Sequence, residues 1–223
     1  MKILVGCPTS NHKEYSLKEY LEGVKKLSYE NIHFVLVDNS ETSNYYEKLK
    51  SLGVSVIKDK YKESAKERVI NSRNILRRYF LENDYDYFLS LEQDVVPPKD
   101  VIEKLLSHNK DIVGGLYFYL GDDNKTLLPM VWIHHEGEYA RRLRFSEVPK
   151  DELIEVITCG LGCVLIKRDV LENIKFRYEK GKEPWDDLWF CEDARAKGFK
   201  VYVDTSAKCK HFVKGMDWSK IKK

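Results

Sequence analysis

The sequence predicts a single α/β domain built on a mostly parallel sheet. Strand-like and helix-like segments alternate through its first half, which is the rhythm of βαβ units and hence of parallel strands. The run at residues 85–94 is an apolar strand typical of the centre of such a sheet. With 223 residues and no internal repeat or linker, the chain fits one domain.

The first half is predicted to alternate regularly between strand and helix. Its strands are apolar runs, and its helices repeat apolar residues every three or four positions. The predicted strands cover residues 2–7, 33–37, 54–57 and 85–94. The predicted helices cover residues 17–27, 44–52 and 65–81. The longest helix begins with a capping box formed by Ser64 and Glu67.

The second half is predicted to be less regular. Apolar residues at helical spacing follow Pro98, and residues 111–117 form the next strand. Residues 121–151 are expected to form a hairpin and a mobile loop. Regular secondary structure is predicted again after this segment, with strands at 153–158 and 164–166, a helix at 188–197 and a strand at 200–203.

Amino-acid composition limits what the protein could bind and where it could be located. The formal charge is only +2 with 33% charged residues, so no whole-molecule field attracts nucleic acid, and none is expected as a partner. Five cysteines are expected to be buried, reduced thiols, which favours a cytoplasmic protein. No segment resembles a signal peptide or a membrane span. The basic tail at 214–223 is expected to be a solvated or docked terminus, with a peripheral membrane contact as the alternative.

Two carboxylates end the apolar strand at 85–94. Glu92 and Asp94 are two positions apart and therefore share one face of the strand, where their charges repel. Ligands of open α/β folds bind at the carboxyl ends of the strands. A divalent cation held by oxygen ligands is the simplest way to balance such a pair, so the sequence predicts a metal site here.

Several nucleotide-binding and hydrolase classes are disfavoured. Gly160 and Gly162 form a pair without the third glycine of a dinucleotide loop, and the first strand runs instead into Pro8 and Thr9. The chain also lacks a P-loop lysine motif and a Gly-x-Ser-x-Gly elbow. The remaining candidates are folds that hold a nucleotide without a glycine fingerprint.

Four short motifs occur along the chain, and their order carries more information than any one of them. Residues 35–40 read Val-Leu-Val-Asp-Asn-Ser, residues 73–74 read Arg-Asn, and residues 91–94 read Leu-Glu-Gln-Asp. Residues 190–193 read Phe-Cys-Glu-Asp and are followed by Asp204 and His211. With these motifs the chain resembles the GT-A glycosyltransferases of family 2 from residue 2 to about residue 211, with Glu92 in place of the first acid of the Asp-x-Asp motif.

The resemblance implies a fold and a reaction. The expected fold has a Rossmann-like, mostly parallel central sheet flanked by helices, and a smaller acceptor-side region. Residues 1–98 would form the nucleotide-binding half, and residues 99–223 the acceptor-binding and catalytic half. The implied reaction moves a sugar from a nucleoside-diphosphate sugar to a hydroxyl of a glycan, lipid or small-molecule acceptor, with inversion.

The resemblance also implies residue roles. Asp94 and His211 are expected to bind Mn²⁺ or Mg²⁺, and Asp193 is the expected general base, with Glu192 as the fallback. The residues expected to contact the nucleotide are Pro8, Thr9, Asp38, Arg73, Asn74, Glu92 and Gln93. The aromatic residues Trp185, Trp189 and Phe190 could stack on a sugar or pack in the core.

Plainer interpretations of these residues stay open. Asp38 could cap the following helix, Arg73 could be a solvated helix charge, and Glu192 and Asp193 could be first-turn acids favoured by the helix dipole. A sugar-nucleotide pyrophosphorylase is one competing function, although the expected glycine-rich, arginine-containing loop is missing after the first strand. A non-catalytic nucleotide-sugar-binding protein is the other.

Overall fold

The computed structural model describes residues 1–121, 123 and 126–213 of the chain. The helices within these residues are α1 (Leu17–Lys25), α2 (Asn44–Ser51), α3 (Ala65–Leu81), α4 (Val101–Ser107), α5 (Arg168–Asn173) and α6 (Asp186–Ala196). Two short 3₁₀ helices cover Asn11–Ser16 and Phe145–Glu147.

Strands alternate with these helices in the first half and dominate the second. Those of the first half are β1 (Ile3–Thr9), β2 (Ile32–Asp38), β3 (Ser55–Lys58), β4 (Tyr87–Leu91) and β5 (Val95–Val96). The strands of the second half up to residue 142 are β6 (Ile112–Leu116), β7 (Phe118–Leu120), β8 (Leu127–Pro129), β9 (Val131–His135) and β10 (Glu138–Arg142). The last strands are β11 (Leu153–Val156), β12 (Thr158–Cys159), β13 (Cys163–Lys167), β14 (Val201–Lys208) and β15 (Lys210–His211).

One large sheet organises the molecule. Its eight strands follow the order β11-β14-β6-β13-β4-β1-β2-β3. The neighbours from β4 to β3 are parallel, as are β6 and β14, whereas β13 runs antiparallel to both β4 and β6 and β11 runs antiparallel to β14. The predicted α/β fold with a mostly parallel sheet is therefore confirmed.

Helices cover both faces of this sheet. Successive side chains of a strand point to opposite faces, so Leu4 packs in one hydrophobic cluster while Ile3 and Val5 pack in the other. The first cluster includes apolar residues of α3, α5 and α6, and the second includes those of α1, α2 and α4. The sheet is thus the middle of three layers, and the carboxyl ends of β1, β2 and β4 meet at one edge.

The start of α3 shows how local sequence sets an element. The helix covers Ala65–Leu81, as predicted, and the Ser64 side chain accepts a hydrogen bond from the Glu67 backbone N–H at 3.4 Å. This contact satisfies one of the amides that have no partner within the helix. The cap fixes where the helix begins, and so which of its residues reach the edge of the sheet.

Several elements differ from the prediction. The segment expected to hold a hairpin and a mobile loop contains the antiparallel pair of β9 with β10, and its strand β8 pairs with β7, which lies just before the segment. Helix α5 was not predicted, because six residues are too few to show a helical repeat. Helix α6 begins at Asp186, two residues before its predicted start.

The structure also bears on the cysteines and the terminus. The five cysteines all lie within the described residues, where they are buried and form no disulfide, as predicted. No helix in the described part of the chain is both long and apolar enough to cross a membrane. Residues 214–223, expected to be a solvated or docked terminus with a peripheral membrane contact as the alternative, lie outside the described residues.

Candidate active site

A cavity of about 300 Å³ opens at the carboxyl ends of β1 and β4. Both halves of the chain contribute to its wall. The lining residues are Pro8, Lys13, Val69, Arg73, Glu92, Gln93, Tyr117, Met130, Leu161, Trp185, Asp186 and Asp187. Four of the seven residues expected to contact a nucleotide are therefore in this wall, and its acids outnumber its bases.

Arg73 holds the two sides of the cavity together. The side chain is buried, and it forms ion pairs of 2.5 Å with Glu92 through Nη2 and with Asp186 through Nε. Its Nη1 also donates to the Ser90 hydroxyl at 2.9 Å. Burial opposes the charge, but Asp186 and Glu92 outweigh it and raise the pKa of Arg73. Arg73 is thus a buried link between carboxylates rather than a solvated helix charge.

Gln93 and Thr9 brace the wall behind the cavity. The Gln93 Oε1 accepts hydrogen bonds from the Thr9 hydroxyl and, at 2.9 Å, from the Tyr45 hydroxyl. Its Nε2 donates to the Lys13 carbonyl at 2.6 Å. One amide side chain therefore connects the end of β1, helix α2 and the 3₁₀ helix at Asn11–Ser16.

Asp94 and His211 lie together, although 116 residues separate them in the sequence. The Nε2 of His211 is 3.5 Å from Asp94 Oδ2, because β15 pairs with β5 directly after Asp94. The same oxygen also contacts the ammonium of Lys13 and, at 3.4 Å, the hydroxyl of Tyr15. Burial alone would disfavour both charged forms. The hydrogen bond between Asp94 and His211, together with the charge of Lys13, nevertheless lowers the pKa of Asp94 to about 2 and raises the pKa of His211.

Asp94 and His211 fit a divalent ion in two respects. Asp94 Oδ1 is buried and has no hydrogen-bond partner among the described residues, so an acceptor remains to be satisfied. His211 Nδ1 bonds to the Phe118 carbonyl at 2.9 Å, which fixes the ring and leaves Nε2 on the Asp94 side. No group of three His, Cys, Asp or Glu side chains that could hold a metal occurs within the described residues, so further ligands would come from substrate and water.

Asp38 and Asn74 lie outside the lining of this cavity. Asp38 is buried at the end of β2, where it is 3.0 Å from the Lys58 ammonium and accepts from the Ser40 backbone N–H at 3.0 Å. It does not cap α2, whose cap residue is Ser43. The Asn74 amide bonds to both backbone groups of Phe176 and lines a separate cleft.

The predicted catalytic pair is not at the cavity. Asp193 forms a two-point ion pair with Arg177, with N–O distances of 2.7 and 2.8 Å, and lines the separate cleft beside Asn74. Glu192 does not line the cavity either. Both lie near the middle of α6 rather than in its first turn, so the structure also corrects the alternative interpretation of them as first-turn acids.

Asp187 is the acid that the sequence reasoning missed. It lies in the first turn of α6 and lines the cavity. Burial and the neighbouring charge of Asp186 raise its pKa to about 6. Six residues of α-helix rotate the chain by about 240° and advance it by about 9 Å, so Asp187 and Asp193 cannot reach the same site. Two consecutive acids after Pro184 and Trp185, just before an apolar helical repeat, were the available signal.

The loop at residues 182–185 presents α6 to the cavity and is held by Lys66. The Lys66 ammonium donates to three successive carbonyls, those of Lys182 at 2.7 Å, Glu183 at 2.8 Å and Pro184 at 3.3 Å. It also lies 5.6 Å from the centre of the Trp185 ring. The first turn of α3 therefore fixes the chain directly before Asp186 and Asp187.

The three aromatic residues near α6 have different surroundings. Trp185 lines the cavity and is 47% exposed. Trp189 lies under the guanidinium of Arg177, 4.6 Å from the ring centre, and Phe190 is buried against Phe176. Only Trp185 of these three is therefore placed where a sugar ring could stack.

One of the comparisons with known proteins identifies a family. The model of a family described as "Glycosyl transferase family 2" matches residues 5–175. A comparison with curated proteins found no match.

Three solved structures share the fold at low sequence identity. GalNAc-T7 with UDP, GalNAc and Mn²⁺ has a TM-score of 0.70 at 15% identity, over 96% of this chain and 44% of that one. The mannosyltransferase PcManGT from Pyrobaculum calidifontis, in complex with GDP-Man and Mn²⁺, has a TM-score of 0.65 at 13% identity, over 94% and 56%. A197 from STIV has a TM-score of 0.52 at 20% identity, over 96% and 86%. The chain thus spans about half the length of the two transferases.

Proposed function

The chain belongs to glycosyl transferase family 2 and has the GT-A fold, and from this premise we propose that it transfers a sugar from a nucleoside-diphosphate sugar to an acceptor hydroxyl with inversion. The observation that supports this most directly is the cavity itself. It holds one carboxylate with a raised pKa, Asp187, and lies beside the pair of Asp94 and His211, whose donor atoms suit a divalent ion.

Asp187 is the proposed general base. The acceptor oxygen attacks the anomeric carbon, Asp187 takes the hydroxyl proton, and the bond from that carbon to the diphosphate breaks with both electrons leaving on the diphosphate. A carboxylate whose pKa is about 6 is ionised at neutral pH and still binds a proton more readily than an ordinary aspartate. This is the balance that a general base requires.

The proposed donor site lies along the carboxyl ends of β1 and β4. Pro8 and Glu92 would face the nucleotide, while Arg73 keeps Glu92 in place and Gln93 and Thr9 support the wall behind it. A Mn²⁺ or Mg²⁺ ion held by Asp94 and His211 would offset the charge that grows on the leaving diphosphate. A nucleoside contact by Asp38 stays a prediction, and it would require Lys58 to give up part of its contact with Asp38.

A screen of nucleotide sugars tests the proposal. The protein is incubated with a panel of UDP, GDP and other nucleotide sugars plus Mn²⁺, and release of nucleotide is measured with and without acceptor sugars. We expect one donor to be turned over, and EDTA to stop the release. Binding of a nucleotide sugar without turnover under any condition would favour the non-catalytic binding protein, and no binding at all would refute the proposal.

A further inference from the structure

We propose that Lys13 and the divalent ion are alternative partners of Asp94, and that Lys13 passes to the diphosphate of the donor when the ion binds. The inference rests on the proposed function, because it assigns a role within the same site. It gives the chain a specific phosphate-binding residue in the 3₁₀ helix that follows β1.

The first argument is the position of Lys13. Its ammonium contacts Asp94 Oδ2, the oxygen that also faces His211 Nε2. An ion bound between Asp94 and His211 would place a second positive charge against the Lys13 ammonium, and two cations at one carboxylate oxygen repel strongly. An ion held by His211 Nε2 lies on the Oδ2 side of Asp94 even where Oδ1 also binds it, so the ion and the ammonium cannot both keep this contact.

The second argument is that Lys13 can move away from Asp94. The Lys13 side chain is 40% exposed, whereas the side chain of Asp94 is 4% exposed. A lysine carries a compact charge on a flexible four-carbon stem, so it can exchange one anion for another without moving the backbone. Because Lys13 also lines the cavity, the space into which it would turn is the proposed donor site.

The third argument is the charge balance of the cavity wall. Glu92, Asp186 and Asp187 line it, and the donor diphosphate would bring further negative charge. Arg73 is already paired with both Glu92 and Asp186. Lys13 is the other cation among the lining residues, and Asp94 is the acid with which it forms a salt bridge. Releasing Lys13 from Asp94 thus supplies the diphosphate with a cation that the cavity otherwise lacks.

The contact with Asp94 also explains why Lys13 stays beside this carboxylate in the metal-free protein. A buried carboxylate without a partner is costly. Together with His211 and the Tyr15 hydroxyl, the Lys13 ammonium stabilises the buried carboxylate of Asp94 in the absence of metal. Lys13 leaves only when a divalent charge replaces it.

The test measures two affinities that should change in opposite directions in Lys13→Met. Titration with Mn²⁺ alone should show binding about 5-fold tighter or more than in wild type, because a competing cation is gone. Titration with UDP and with GDP at saturating Mn²⁺ should show binding weakened by about 10-fold or more, because a charged hydrogen bond to phosphate is lost. A side chain that merely stabilised the fold would not produce opposite signs.

Two controls accompany these titrations. Lys48→Met removes an exposed lysine that pairs with Glu14, next to Lys13, and should change neither affinity. Asp94→Ala should abolish binding of Mn²⁺ alone. If Lys13→Met folds poorly without metal, its thermal midpoint measured with and without Mn²⁺ should rise more than that of wild type, because a ligand that binds only the folded state stabilises it.

The possible outcomes are distinguishable. Mn²⁺ affinity that is unchanged or weaker in Lys13→Met would refute the competition for Asp94. Tighter Mn²⁺ binding with unchanged nucleotide affinity would refute the passage of Lys13 to the diphosphate. If wild type binds no nucleoside diphosphate and turns over no nucleotide sugar, the proposed function fails, while the titration with Mn²⁺ alone still decides the competition.

Discussion

Asp187 and Asp193 lie on one helix, and their surroundings give them different expected roles. We expect Asp187→Asn to lower the rate of transfer by about 100-fold or more, the usual scale for a lost general base. Asp193→Asn is the matched control and should stay near the wild-type rate, because Asp193 pairs with Arg177 in the separate cleft. Single-turnover transfer, measured beside donor affinity, checks both variants. A dead Asp193→Asn with an active Asp187→Asn would reverse the assignment.

The pKa of Asp187 predicts the pH dependence of the reaction. The base must be ionised to accept a proton, and its pKa is about 6. The value of kcat/KM should therefore rise with pH to about 6 and level off above it. A profile from pH 4.5 to 8 with the preferred donor measures this limb. A flat profile across that range would remove Asp187 as the base.

The same shift predicts how Asp187 affects stability. Its pKa is raised from an ordinary value of 3.8 to about 6, so the folded protein binds this proton more tightly than the unfolded chain. The stabilisation is fully present below pH 3.8 and is lost as the pH rises through 6. Asp187→Asn, which carries no charge, should therefore have a higher thermal midpoint than wild type at pH 8, and the difference should shrink toward pH 4. An equal difference at both pH values would contradict this reasoning.

At the scale of elements, Lys66 couples the start of α3 to the start of α6. Lys66→Met removes three hydrogen bonds to the loop at residues 182–185, so we expect Asp187 to be placed less accurately. The value of kcat should fall by roughly 10-fold or more, since small displacements at a reacting centre are costly. Donor affinity should change little, because Lys66 is not a lining residue of the cavity.

Lys60→Met is a suitable control for that experiment. Lys60 is an exposed lysine in the loop before α3, and its loss should leave kcat unchanged. Rates and donor affinities measured for both variants separate the role of the contact from a general effect of removing a lysine. A Lys66→Met enzyme with wild-type kcat would show that the loop keeps its position without this side chain.

The elements also show where sequence reasoning succeeds and where it stops. The bounds of α3 were predictable, because its cap and its apolar repeat are both local. The start of α6 was missed, because the apolar repeat begins at Leu188 while the two acids that mark the first turn come before it. The direction of β13 depends on its neighbours in the sheet, and its own composition does not reveal it.

The candidate site, too, could be predicted from the sequence only in part. The resemblance predicted the meeting of Asp94 and His211, and the structure places them side by side. The ion pair between Lys13 and Asp94 could not be predicted, because it depends on the path of the short 3₁₀ helix after β1. The expectation for Asp193 came from the motif at residues 190–193, whereas Asp187 lies before the predicted start of the helix.

At the scale of the whole molecule, Arg73 ties the two predicted halves of the chain together. It joins Glu92, from the first half, to Asp186, from the second, in a buried cluster. Arg73→Met leaves both acids without their partner and should lower the free energy of unfolding by about 3–5 kcal/mol. Urea unfolding measures the change. Combining it with Asp186→Asn should restore part of the loss, because one uncompensated charge is then removed.

An exposed ion pair provides the comparison for that measurement. Arg177→Met breaks the pair with Asp193, in which both side chains are about one-third exposed, and should cost only about 0–1 kcal/mol. Similar decreases in the free energy of unfolding for the two variants would mean that the ion pairs of Arg73 stabilise the fold no more than an exposed pair does. A cost confined to Arg73→Met would show that the buried cluster stabilises the association of the two halves.

The position of β13 has a consequence for synthesis of the chain on the ribosome. Strand β4 is complete at Leu91, yet its neighbour on one side, β13, begins only at Cys163. At translation rates of about 5–20 residues per second, roughly 4–14 s pass before that partner emerges. During this interval β4 presents an open edge of unpaired backbone groups, the kind of edge on which chains aggregate. The strand that leads to Glu92 and Asp94 is therefore one place where the nascent chain needs protection from aggregation.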